Sequence, residues 1–186
     1  MSTSETKLSV RTWGSDSLPA VFCIHGWAMN SAVFAPLAEM FSDRYHFIAV
    51  DLPGYGNSPC DDPEQAYEVS SLLQNILDVA PPSATWLGWS LGGMLAAKAA
   101  ELYPARIPSL MTLCSNAKFI ADKKWPKAVP QPLYSGFMES IDDARTTLRR
   151  FAALTVVGEQ KNMLHSLKWL QENGQQPKPE ASVLKA

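Results

Sequence analysis

The stretch ATWLGWSLGGMLAAKAAELYP, residues 84–104, decides the fold. Its first six residues, ATWLGW (84–89), form a short apolar run without polar alternation, the pattern of a strand covered on both faces. From Leu91 to Tyr103 the chain turns to Ala, Leu and Met, good helix formers, with Pro104 just beyond as a stop. Between the two lies Gly88-Trp89-Ser90-Leu91-Gly92, a G-x-S-x-G pentapeptide at a strand-to-helix junction. That context, more than the pentapeptide itself, marks the tight turn that lifts a serine hydroxyl above the C-terminal edge of a sheet.

Working outward, AVFCIHG (20–26), HFIAVDL (46–52) and IPSLMTLCS (107–115) repeat the buried-strand pattern, while LSVRTWG (8–14) alternates and reads as a peripheral strand. Helical spacing covers 31–42, where Pro36 suits only a first turn, and 64–79, where Leu72, Leu73, Ile76 and Leu77 share a face. Strands alternating with helices predict an α/β fold: a mostly parallel, doubly wound sheet with right-handed crossovers. After residue 116 the pattern changes. A short helix is expected around 133–139, and two more over 143–158 and 159–174, each ended by Gly. The chain therefore divides into a core (1–116), a helical cap (117–176) and a loose polar tail (177–186).

Composition excludes several classes. Of 186 residues, 46% are hydrophobic and 18% charged, which suits one packed domain and not a disordered chain. The formal net charge of −2 argues against a nucleic-acid binder driven by bulk positive charge. The longest apolar runs are too short to span a membrane, and MSTSETKLSV (1–10) lacks the apolar stretch of a signal peptide. Cys23, Cys60 and Cys114 are too scattered for a disulfide framework or a zinc site, and Cys23 and Cys114 read as buried small hydrophobes. A cytoplasmic location is expected. Charge is uneven: residues 1–117 carry 5 Lys/Arg against 11 Asp/Glu, net −6, whereas 118–168 carry 9 against 5, net +4. The basic segment is either a solvated helical face or a landing site for an acidic partner.

Ser90 is the candidate nucleophile. The following helix would aim its N-terminal N–H groups and positive dipole end at the same spot. Two backbone N–H groups are assigned as oxyanion donors, those of Leu91 and of Trp27, which follows the strand ending His25-Gly26. The competing reading of Ser90 is a plain helix N-cap, and that of Trp27 is packing. His25 reads as structural.

HGWAMN (25–30), DLPGYGNS (51–58) and WLGWSLGG (86–93), in this order and spacing, resemble an α/β-hydrolase. Within that fold they look most like the pimeloyl-acyl carrier protein methyl ester esterases of biotin synthesis. The likeness continues through TLCSNAKF (112–119), KKWP (123–126) and DDARTTLRRFAALTVVG (142–158), so it covers nearly the whole chain. It implies a serine carboxylesterase, monomeric when intact, that needs no metal or organic cofactor. It further implies that Phe151, Ala152, Ala153, Leu154 and Thr155 line a substrate channel from the cap. Basic cap residues Arg145, Arg149 and Arg150 would meet the acidic carrier protein. Arg145 stands one position from the family's arginine, where this chain has Thr146.

A serine esterase of this kind also needs an acid and then a histidine base late in the chain. The histidines here are His25, His46 and His165. His46 begins a strand at the wrong edge of the sheet, and His165 falls in a cap helix. Asp122, Asp142 and Asp143 look like helix-start residues. The sequence thus reads as the first two-thirds of a longer enzyme, lacking the last strands, with IPSLMTLCS left as an exposed, association-prone edge. Two further readings stay open. One is a catalytically dead truncated hydrolase that only binds an acidic carrier protein. The other is a different enzyme on the same fold, such as another esterase, a thioesterase, a C–C hydrolase or an acyltransferase. A haloalkane dehalogenase, which has Asp in the elbow, is disfavoured by the Ser found there.

Overall fold

The structure, a computed structural model, describes residues 7–156 and 163–186. Five strands form one sheet: β1 (Val10–Trp13), β2 (Ala20–Ile24), β3 (His46–Val50), β4 (Thr85–Trp89) and β5 (Ser109–Leu113), in the order β1-β3-β2-β4-β5. Only β1 is antiparallel to its neighbour; β3, β2, β4 and β5 run parallel. The alternating strand is thus the edge strand, and the three uniformly apolar ones hold the middle, as two-sided burial requires.

The period of two sorts the strand residues between two cores. Phe22, Ile24, Ile48, Val50 and Trp86 face α3 (Val69–Val79) and α4 (Leu91–Leu102). Val21, Cys23, Phe47, Ala49 and Leu87 face the other way, onto Phe34 and Ala38 of the segment that runs from a 3₁₀ turn (Ser31–Phe34) into α1 (Ala35–Phe41). Pro36 lies in the first turn of α1, where its missing N–H costs nothing. The helix expected over 64–79 is two: a single turn, α2 (Pro63–Ala66), capped by Asp62 accepting from the Gln65 N–H, and then α3. The break falls at Tyr67, whose hydroxyl donates to the Pro53 carbonyl.

Beyond β5 come α5 (Gln131–Glu139), a 3₁₀ turn (Ser140–Asp142), α6 (Ala144–Thr155), α7 (Met163–Trp169) followed by a wide turn (Leu170–Gly174), and α8 (Ala181–Lys185). The expected glycine stop at 158 lies outside the described residues. Ile141 and Leu148 are buried in the main core, which fixes this helical layer above the C-terminal ends of the strands. No helix among the described residues is long and apolar enough to cross a membrane.

Three expectations need correction. The buried-strand reading of IPSLMTLCS gives way to its other reading, an exposed edge: all five residues of β5 are exposed, and β4 is its one pairing partner among the described residues. Cys114, just past β5, is exposed, while Cys23 is buried and its thiol is pushed up to about 12 by desolvation. The end of the chain is not loose from Ala181 onward. Val183 and Leu184 are buried against the main core, and the Leu184 carbonyl accepts the Trp27 Nε1–H, so apolar burial and a long-range hydrogen bond together anchor α8.

Candidate active site

Ser90 stands between β4 and α4 with φ 54 and ψ −117, a left-handed conformation that costs a residue with a Cβ roughly 1–3 kcal/mol. It occupies the N-cap position of α4, yet its side chain makes no capping hydrogen bond. The plain N-cap reading therefore fails: a capping serine adopts extended backbone and spends its Oγ on the helix. Here the turn holds the hydroxyl half-exposed and unspent on the helix.

Glycines make the turn possible. A Cβ on Gly88 would lie 2.5 Å from the Gly92 carbonyl carbon, and one on Gly93 would lie 2.6 Å from both Cβ and Oγ of Ser115. A Cβ on Gly92 would lie 2.6 Å from the His25 carbonyl oxygen and closer still to that of Ile24. The start of α4 is thus pressed directly against the end of β2. From there the HGW turn passes Ser90: a Cβ on Gly26 would lie 3.2 Å from the Ser90 Cβ. These close contacts bring the turn after β2, which carries Trp27, and the first turn of α4 together beside Ser90. Leu91, as the first residue of α4, has no intrahelical acceptor for its N–H.

His25 is fully buried, and both ring nitrogens are engaged. Nδ1 donates to the Gly26 carbonyl at 2.8 Å, and Nε2 accepts the Leu52 N–H at 3.0 Å. Burial pulls its pKa down to about 4, against the upward pull of the Gly26 bond and the Asp51 carboxylate. The ring is a neutral strut between β2 and the loop after β3, with no nitrogen to spare for Ser90. The same loop hangs on Asp51, which accepts from the N–H groups of Ser31 (2.7 Å) and Asn57 (3.0 Å). DLPGYGNS is this buckle: Gly56, at φ 55, presses against the Asp51 carboxylate where a Cβ would not fit.

Above Ser90 the cap contributes aromatic surface. The Trp27 ring packs edge-to-face on Phe137 of α5 (centroids 5.3 Å apart) and Phe151 of α6 (4.9 Å), and its Nε1–H donates to the Leu184 carbonyl of α8 at 3.1 Å. Phe137 and Leu184 were not among the sequence candidates; the Trp27 contact reveals them, and nothing in their local spacing did. The other predicted channel residues separate. Ala152 is fully buried, Ala153 and Thr155 are exposed, and the side chain of Leu154 lies outside what the structure describes. Arg145, Arg149 and Arg150 are exposed along α6. Asp143 starts α6, accepting the Thr146 N–H at 3.1 Å, whereas Asp122 caps a turn rather than a helix, accepting the N–H groups of Lys124 and Trp125 and pairing with Lys118. His165 is exposed on α7, and His46 opens β3 at the opposite end of the strands from Ser90.

The sequence model of the alpha/beta hydrolase fold matches residues 19–179. The chain is 40% identical over 160 residues to the pimeloyl-acyl carrier protein methyl ester esterase of Photobacterium profundum, a match spanning 85% of this chain and 62% of that protein. It is 36% identical over 183 residues to the esterase of the same name from Aeromonas salmonicida, covering 96% of this chain and 69% of the relative. Its backbone superposes on an esterase from Exiguobacterium antarcticum with a TM-score of 0.77 at 19% identity, over 96% of this chain and 66% of that one, a likeness of fold. The chain thus spans about three-fifths to two-thirds of the length of these relatives. A match over residues 19–179, together with a strained serine turn, makes this chain a member of the alpha/beta hydrolase fold family.

Proposed function

We propose that the protein is a serine carboxylesterase that hydrolyses the methyl ester of pimeloyl-acyl carrier protein in the cytoplasm. The observation that carries this reading is Ser90, held at φ 54 with its hydroxyl unused by the helix it precedes. The relatives named for this activity, at 34–40% identity, supply the substrate class.

In this reading Ser90 Oγ attacks the ester carbonyl carbon, and the N–H groups of Trp27 and Leu91 hold the resulting oxyanion. Each such donor is worth ~3–4 kcal/mol in comparable sites. Collapse of the tetrahedral intermediate expels methanol, and water then cleaves the acyl-enzyme to free the carboxylate. The Ser90 proton passes to a histidine base held by a carboxylate. Neither is placed beside Ser90 among the described residues, so the reading calls on groups outside them. Phe151 and Trp27 form the apolar wall along which the acyl chain lies, with Ala152, Ala153, Leu154 and Thr155 on the same helix as Phe151. Arg145, Arg149 and Arg150 of α6 face the acidic carrier protein.

The test is turnover of pimeloyl-acyl carrier protein methyl ester, read as methanol release, beside labelling by a fluorophosphonate. Wild-type protein should label at Ser90; with the histidine base and its carboxylate supplied, Ser90→Ala should lose both labelling and at least ~10⁴-fold in rate, on the order seen when a member of a complete triad is removed. Charge reversal at Arg149 and Arg150 should raise KM for the carrier-linked ester and spare a small free ester. Carrier binding with no turnover would favour the binding-only reading. Ester hydrolysis that survives Ser90→Ala would end the proposal.

A further inference from the structure

We propose that Ser115 is a positioning residue of the oxyanion hole: by holding the Ser90 carbonyl, its hydroxyl aims and strengthens the Leu91 N–H. This deepens the esterase reading and rests on it. Residues 90 and 91 share one peptide unit, planar and trans, so its carbonyl and its N–H point in opposite directions. Fixing the carbonyl on one side fixes where the N–H points on the other.

The Ser90 carbonyl accepts three hydrogen bonds. Two come from the first turn of α4 itself, from the N–H groups of Gly93 (2.9 Å) and Met94 (3.2 Å). The third comes from Ser115 Oγ at 2.8 Å, from a residue 25 positions on, just past the end of β5. The helical bonds move with α4, whereas the Ser115 bond ties the peptide unit to the sheet. A second tie from the same strand, the Ser90 N–H to the Leu113 carbonyl at 2.9 Å, holds the other side of the nucleophile. β5 therefore grips the strained residue at both backbone groups.

The approach is built, and two local departures make it. Cys114 takes φ 47, a bend directly after β5, and the next residue, Ser115, is the one that reaches the Ser90 carbonyl. Gly93 clears the space, since a Cβ there would lie 2.6 Å from Ser115 Cβ and Oγ. The chemistry follows from cooperativity: a hydrogen bond accepted by an amide carbonyl polarises the amide, and its N–H becomes a better donor. An oxyanion forming at Leu91 is charged, so it gains more from that polarisation than a neutral ester oxygen does. The effect belongs in kcat, not in KM.

The experiment uses Ser115→Ala and Ser115→Thr in the full chain, with three readouts: steady-state ester hydrolysis, affinity for a trifluoromethyl ketone that forms a tetrahedral adduct, and the Leu91 amide resonance. For Ser115→Ala we expect kcat to fall about tenfold, a part of the roughly 10²–10³ lost when a whole donor is removed. KM should stay within about twofold, ketone affinity should fall in step with kcat, and the Leu91 amide proton should move upfield. Ser115→Thr, which keeps the hydroxyl, should restore all three. An unmoved Leu91 resonance in Ser115→Ala overturns the proposal, whatever happens to the rate. So does a rate loss carried by KM alone. Ser90→Ala is the separate control: turnover surviving it would overturn the esterase reading, while the Leu91 resonance would still judge the role of Ser115.

Discussion

Replacing glycine by alanine at positions 92 and 136 should move stability in opposite directions, although both glycines lie in helices. At Gly92 the new Cβ would sit 2.6 Å from the His25 carbonyl oxygen and from the Ile24 carbonyl carbon. An ordinary contact of this kind needs at least 3.4 Å, so α4 must move off β2 by about an ångström. The obstacles are backbone atoms at the end of a central strand, which have no rotamer to change. Overpacking of a core costs ~1–3 kcal/mol, and an unyielding backbone places Gly92→Ala at or above ~3 kcal/mol. For a domain of this size that is roughly 6–12 °C in Tm. At Gly136 nothing lies within 4 Å, and the position is exposed inside α5. There alanine only restricts the unfolded chain and suits the helix, a gain of up to ~1 kcal/mol, or about 2–4 °C. The assay is thermal and urea unfolding of both variants beside wild type. Gly92→Ala should also slow ester hydrolysis by about 10² even in the folded fraction, since a ~1 Å misplacement of the donor is enough. A Gly92→Ala protein as stable and active as wild type would refute the packing argument. A Gly136→Ala protein destabilised to the same degree would show that helical glycines are being lost for some reason other than the contacts described.

Other expectations follow from the buckle beneath the site. His25 is neutral in the fold, with its pKa lowered from 6.5 to about 4, so the unfolded chain binds the proton first. Its contribution is intact above about pH 6.5 and is lost as pH falls toward 4; urea midpoints measured across that window should decline in wild type and decline less in His25→Gln. Asp51→Ala leaves the N–H groups of Ser31 and Asn57 without acceptors and should cost ~2–5 kcal/mol, read by urea unfolding. Trp27→Phe keeps the ring between Phe137 and Phe151 but drops the bond to the Leu184 carbonyl, and should cost about 1 kcal/mol by the same measurement.

The parallel sheet was legible because its strands are uniformly apolar and its helices are punctuated by proline: β2, β3 and β4 and the helix after Ser90 all lie where pattern and stop signals put them. The elbow was legible because glycine at 88 and 92 with serine between them has few other uses at a strand-to-helix junction. Periodicity failed on two kinds of feature. It reports how apolar a segment is, not what covers it, so the pattern of IPSLMTLCS alone matches that of its buried neighbours, and its reading as an exposed edge came from the order of the elements instead. It also averages over turns, so the short α8, anchored only by Val183 and Leu184, vanished into a proline-containing polar tail. Long-range contacts left no local trace at all: nothing around Leu184 or Phe137 in sequence announces the Trp27 ring, and nothing around Ser115 announces the carbonyl of Ser90.

These gaps converge on one physical point about the site. Ser90 keeps a conformation that its own side chain disfavours, so the surroundings must over-determine it. The glycine contacts of α4 on β2 do so from one side, and they are rigid. The other side is β5, which holds both the N–H and, through Ser115, the carbonyl of the same residue while presenting an exposed, unpaired edge among the described residues. Each opening of β5 would release the nucleophile from two of its restraints at once. The stability of β5 and the geometry of the proposed oxyanion hole are therefore coupled: a change that weakens the β4–β5 ladder is expected to lower kcat before it lowers the fraction folded.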